Sequence, residues 1–239
     1  MPLPKIVAPT YELELPSTGE TIKYRPFLVK EEKVLVIALE SEETKQITNA
    51  IKSVIKNCIL TKGIKVEALP TFDIEYLFLN IRGKSVGESI KVNIICPDDE
   101  ITEVVAEIDI DSIKVQKDDD HTNQVKIDDN IMMVMKYPSL EQFIKSNFEF
   151  KDQNAMDQSF DLISSCIDSI CSGEEVWAAA DCTKKEVTEF LESMNSSQFK
   201  GIEKFFETMP KLSHTIKVTN PNTKVESEVV LEGLASFFA

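Results

Sequence analysis

An α+β fold is what this 239-residue sequence predicts, and three features predict it. Apolar and polar residues alternate, as in a half-buried strand, over residues 11–24 and again over 90–110. Apolar residues recur at helical spacing in residues 47–58 and 156–209. Period two then returns over 214–231. The expected architecture is a mixed sheet of hairpins with packed helices and a helical insertion after residue 138. It divides into a mixed α+β region over 1–137, a helical region over 138–211, and a terminal hairpin with a short helix over 212–239 that rejoins the first region.

The elements follow in order. Tyr11, Leu13 and Leu15 alternate with Glu12 and Glu14, residues 16–19 supply turn chemistry, and Ile22 and Tyr24 resume the alternation up to Pro26. One helix is expected through Val34, Leu35, Ile37, Ala38 and Leu39. A second opens near Ser41, carries Ile47, Ile51, Val54, Ile55 and Cys58, and stops at Lys62-Gly63. Residues 72–81 read as a third helix capped by Thr71. Ile90, Val92 and Ile94 form one strand face and Val104, Ala106, Ile108 and Ile110 another, with a turn at residues 96–99. The polar run 117–121 is an exposed loop, His121 included, and Ile131 to Met135 form a further strand.

After Tyr137-Pro138 the pattern is helical. Ser139 with Gln142 and Thr183 with Glu186 are capping-box pairs. Met156, Phe160, Ile163, Ile167 and Ile170 make one helix face, then Val187, Phe190, Leu191 and Met194, then Phe199, Ile202, Phe205, Phe206 and Met209, ended by Pro210. His214, Ile216 and Val218 begin a last hairpin that turns at residues 220–223 and returns through Val225 to Leu231.

Composition narrows the function. A net charge of −15 opposes binding to nucleic acid and to anionic membranes, and suits a basic protein partner. The chain opens on no apolar leader, and its longest apolar run, Val34 to Leu39, is too short to cross a bilayer. Five cysteines, an odd number, suit buried thiols in a reducing compartment better than a disulfide framework.

Motifs for catalysis and cofactors are incomplete. Gly83-Lys84-Ser85 ends like a phosphate-binding loop, but Phe78 occupies the position of the required first glycine, and helix precedes strand instead of the reverse. No nucleotide is expected. Cys166 and Cys171 are five apart and Cys96 has no second cysteine within four residues, so neither has zinc-knuckle spacing, and no metal is expected. The aspartates at 118–120 and 128–129 lack the calcium-loop pattern. No nucleophile elbow surrounds a serine, which leaves a Cys–His or Ser–His pair involving His121 or His214 as the enzymatic alternative, with no catalytic residue assignable.

Binding features are stronger. Arg25 and Phe27 place a cation and an aromatic at a strand exit, Arg82 and Lys84 place cations at a helix end, and Phe237 and Phe238 stand near the last residue. These six are the candidate partner-binding residues. Of the two phenylalanines, one is expected to face the body of the protein and the other a partner, so that truncation after Leu234 leaves a folded protein that assembles poorly.

Several stretches together are similar to one family. They are residues 9–16; residues 23–33, with Arg25-Pro26-Phe27-Leu28; residues 78–88, with Arg82-Gly83-Lys84-Ser85-Val86-Gly87-Glu88; and residues 233–238. They resemble the baseplate hub and hub-assembly proteins of T-even-type contractile-tailed phages. The resemblance implies a non-enzymatic structural or assembly component of the tail baseplate hub, without cofactor. It acts by contact with other hub proteins, with oligomerisation in the hub among the arrangements allowed. The host cytoplasm during assembly and the virion tail baseplate are its implied locations. A transient chaperone absent from the virion is the alternative within this reading. By resemblance, Gly83-Lys84-Ser85 belongs to a helix-to-strand turn. The resemblance further implies, for some members of the family, cysteine pairs near the turns at 96–99 and 220–223, suggestive of a zinc ribbon, of which this sequence keeps only Cys96.

Overall fold

The computed structural model describes residues 6–41, 43–140 and 155–237. In chain order, strands β1 (Tyr11–Glu14) and β2 (Thr21–Tyr24) lead to helices α1 (Val29–Glu40), α2 (Thr44–Cys58) and α3 (Thr71–Val86). Strands β3 (Ser89–Ile95), β4 (Glu103–Asp109), β5 (Lys114–Gln116), β6 (Gln124–Lys126) and β7 (Ile131–Met135) follow. Then come α4 (Ala155–Ser165), β8 (Ile167–Ser172), β9 (Glu175–Ala178), α5 (Lys184–Glu192), α6 (Ser196–Thr208), β10 (Lys211–Thr219) and β11 (Glu226–Glu232). The class is α+β. The chain forms two compact units, residues 1–116 with 211–239, and residues 117–210.

In the first unit, β1 and β2 pair antiparallel with Leu13 opposite Ile22, as the alternation requires. Gly19 takes a positive φ of 71° in the turn, which costs little without a Cβ. The turn is tied to α3: the backbone N–H of Ser17 donates to Asp73 at 3.0 Å, and its hydroxyl donates to the other oxygen of that wholly buried carboxylate. β3 buries Ile90, Val92 and Ile94 on one face and pairs with β4. β10 lies between β11 and β5, so the last hairpin joins this unit through β5 and not through the first hairpin. Leu79, Ile90, Ile108, Ile113, Leu212 and Phe237 are among the side chains of the core between these elements.

Boundaries differ from the sequence expectations at several points. Ser41 closes α1, its N–H and hydroxyl both donating to the Ala38 carbonyl, instead of opening α2. α2 ends at Cys58, before Lys62-Gly63, because Ile59 turns extended and bridges Tyr24. Thr71 is the first residue of α3, and the N-cap position falls on Pro70. Gly83-Lys84-Ser85 lies within α3, and the turn to β3 falls at Gly87, whose φ of 146° favours glycine. A Cβ at Gly83 would approach Ile110 to 3.3 Å, so glycine lets α3 and the segment around Ile110 close.

The second unit holds the sheet β6-β7-β8-β9, all antiparallel neighbours. Here lies the largest departure: Ile167 and Ile170 sit on β8, not on a helix face. Three-residue spacing of two isoleucines fits a helix, but Gly173, at a φ of 59°, begins a two-residue turn between Ser172 and Glu175. That turn folds 167–178 into a hairpin whose Ile170 pairs with both Met133 and Trp177. Phe160 and Ile163 are helical as expected. Gln142, of the expected pair Ser139–Gln142, lies outside the described residues. α5 has the expected capping box, Thr183 with Glu186, and α6 has one formed by Asn195 with Gln198. α6 passes so close to β6 that a Cβ on Gly201 would meet Val125 at 2.8 Å.

Candidate functional site

Two motifs singled out in the sequence meet at the exit of β2. Arg25 is mostly buried, and its guanidinium donates to Glu31 Oε1 at 3.1 Å and to the carbonyls of Pro26 and Asn57 at 2.8 and 3.0 Å. Glu31, only 3% exposed, also accepts from the Leu28 N–H at 2.8 Å and pairs with Lys30 at 3.3 Å. The result is a staple that fixes the start of α1 against the end of α2. Phe27 is half-buried, and its N–H donates to Ser85 Oγ at 2.9 Å, while Ser85 in turn donates to the Ile81 carbonyl. The phosphate-loop-like triplet thus serves internal ends. Gly83 admits Ile110, Lys84 pairs with Glu88 at 2.5 Å and lies 5.8 Å from the Tyr11 ring centre, and Ser85 latches the chain after β2.

The other candidates are placed differently. Arg82 is half-buried in α3, where desolvation pulls its pKa down without discharging it. Phe237, 1% exposed, belongs to the core of its own unit, and Phe238 lies outside the described residues. Arg25, Phe27 and Lys84 therefore gather at the junction of β2 with α3, while Phe237 packs in a separate cluster. The surface that sequence reading overlooked is α1 itself, whose Val29, Val34, Val36, Ile37 and Leu39 are all exposed. The signal was present: this helix is apolar around most of its circumference, which normally marks full burial.

Several side chains considered for chemistry are buried or engaged in hydrogen bonds. Burial pushes the Cys58 and Cys166 thiols up to about 11 and raises that of Cys96, away from the thiolate that nucleophilic attack needs. His121 is not a solvated loop residue. Its ring nitrogens meet Thr208 Oγ1 at 2.9 Å and Tyr137 Oη at 3.0 Å, it stacks on Tyr137 and lies tilted against Phe205, and desolvation lowers its pKa. It anchors its loop within the second unit because an imidazole satisfies two hydroxyls while its ring packs. His214 lies on β10 opposite Leu231.

The turns at 96–99 and 220–223, the place where the resemblance suggested a zinc ribbon, come together. Buried Asn220 donates through Nδ2 to Asp98 Oδ1 at 3.0 Å and to Asp99 Oδ2 at 2.9 Å, and the Thr223 hydroxyl donates to Asp98. Asn222 Nδ2 donates to Thr102 Oγ1 at 3.0 Å. These residues do not fit zinc: Cys96 alone supplies sulfur, and the neighbouring positions hold amide, hydroxyl and carboxylate groups hydrogen-bonded to one another. Among the described residues, no three His, Cys, Asp or Glu side chains converge as metal ligands.

This cross-link predicts a pH dependence. Thr223 and Asn220 hold the Asp98 carboxyl below the usual range, and Thr102, with Asn220, does so for Asp99. A carboxyl whose folded pKa is depressed stabilises the fold above its unfolded value and loses that contribution as pH falls through the folded value. Asn220→Ala is expected to cost about 1–3 kcal/mol at pH 7, the penalty for unmaking buried hydrogen bonds. The difference from the wild-type chain should narrow below about pH 4. Urea unfolding of both proteins at pH 7 and at acid pH checks this, and an undiminished difference in acid would refute the carboxylate role.

With this geometry established, comparison with known proteins adds a family. A family model described as T4 bacteriophage base plate protein matches residues 8–239. No curated protein and no solved structure matches the chain.

Proposed function

The chain belongs to the T4 bacteriophage base plate protein family and is a structural protein of the phage tail base plate, and from that premise we propose that it works in the central hub, as a non-enzymatic component or assembly factor that acts through protein–protein contacts. The observation that carries this reading is how the side chains are used. Arg25, Ser85 and Phe237, the distinctive residues of its motifs, are engaged inside the protein. Large apolar side chains meanwhile stand exposed on α1 and, with Val176 and Trp177, on β9. Exposed apolar patches of this kind mark partner surfaces. Other hub proteins are the partners in this reading, met in the host cytoplasm before the base plate is complete. Nucleic acid and membrane are disfavoured by the charge of −15.

Mass spectrometry of purified phage tails is expected to find the chain at fixed stoichiometry, and cross-linking should place it against hub subunits. Cross-links confined to the outer base plate would overturn the hub assignment. A second reading, a chaperone that leaves before the virion matures, draws on the same charge, which suits holding basic partners. It requires the chain to be present in assembly intermediates and absent from finished tails.

A further inference from the structure

α1 has two unlike sides. Ala38 is buried toward the body of its unit and Glu31 is fastened there by Arg25. On the opposite side Val29, Val36 and Ile37, seven and eight positions apart, form one stripe, interrupted by exposed Glu32 and Lys33, with Leu39 beside it. Val29 is 80% exposed and Ile37 55%. This stripe is what a helix shows when half of its burial is missing.

Charge says what kind of surface would complete it. The last turn of α1 contains Glu40 and no basic residue, and Glu43 follows just beyond. Glu40 therefore adds to the partial negative charge that α1 carries at its carboxyl end, where cations are favoured, while Glu43 stands at the N-cap of α2 and accepts from Gln46. The chain as a whole is at −15, so a second copy would bring net repulsion to the same place. A cationic rim beyond the carboxyl end of α1 would offset both.

We propose that the outer face of α1 is the docking surface for a different, basic base plate protein, which lays an apolar segment along Val29, Val36, Ile37 and Leu39 and sets lysine or arginine side chains against Glu40 and Glu43. This rests on the base plate reading and gives it a specific surface and partner chemistry. The stripe supplies apolar burial, and the acidic end fixes which way the partner runs.

The test places a photo-cross-linking amino acid at Ile37 of the full chain during phage assembly, with Val105, exposed on β4, as the control position. The expected product joins position 37 to a lysine- and arginine-rich segment of another base plate protein, and the control position does not give it. Glu40→Lys should reduce that product at least tenfold, with thermal unfolding unchanged. Val36→Glu with Ile37→Glu, read by a cross-linker at Val29, should abolish it. A cross-link to α1 of a second copy, to an acidic segment, or to no protein overturns the proposal. Mass spectrometry of the same particles separates the two levels: the chain present at fixed stoichiometry without the cross-link defeats only the docking face, whereas its absence from tails and intermediates alike defeats the base plate role.

Discussion

Replacing Phe237 by alanine is expected to cost about 3–5 kcal/mol, the usual range for emptying a buried phenylalanine site. The ring is 1% exposed and packs in the core that includes Leu79, Ile90, Leu212 and Leu231. Its neighbours are held in paired strands and in α3, so they can close over the cavity only partly. Against a total stability of roughly 5–15 kcal/mol, the loss is large. Truncation after Leu234 removes the same ring, together with the bond from the Ser236 hydroxyl to the Glu232 carbonyl at 2.7 Å. The expected outcome is a destabilised first unit, not the folded but assembly-defective protein that the sequence suggested. Far-ultraviolet circular dichroism during denaturation measures this, while fluorescence of the single tryptophan, Trp177, reports on the second unit. Unchanged stability with impaired assembly would instead make Phe237 a contact residue.

The second large effect is at Arg25. Arg25→Ala is expected to cost about 3 kcal/mol, because it leaves Glu31 charged and buried with its principal partner gone. Lys30, already 3.3 Å from Glu31, keeps the loss toward the low end of the range for broken buried pairs. Burial raises the Glu31 pKa, but the bonds from Arg25, the Leu28 N–H and Lys30 outweigh it, and the net shift is downward. The pair's contribution is therefore complete above the ordinary glutamate value of about 4.3 and fades as pH falls through the folded value. The cost of Arg25→Ala should accordingly be greatest near neutral pH and shrink in acid. Arg25→Lys should recover part of it, since one ammonium cannot reach Glu31 and both the Pro26 and Asn57 carbonyls at once. Equal stability of all three proteins at pH 7 would mean the staple contributes nothing.

Sequence alone determined the elements whose signal is local. The hairpins at 11–24 and 211–232 and the strands at 89–109 were legible because one face of each is buried and the residue pattern repeats every two positions. α5 was legible because its capping box is written in four consecutive positions, Thr183 to Glu186. Tertiary structure decided whatever depends on groups far apart in the chain. Ile167 and Ile170 became strand residues because β7 offered an edge to pair with, and the register shift between Val134 and Met135 accommodates a three-residue spacing that no period-two pattern shows. Arg25 was visible as a cation beside an aromatic, but only folding shows that Glu31, Asn57 and Pro26 surround it. Ser85 gave no sign that it would hold the Phe27 backbone, nor Asn220 that it would bind Asp98 from another hairpin, because side-chain hydrogen bonds between distant positions leave no periodic trace. The open face of α1 is of the same kind. Its apolar pattern specifies a helix that is to be covered on most sides, and only the packed structure shows which side its own chain leaves bare.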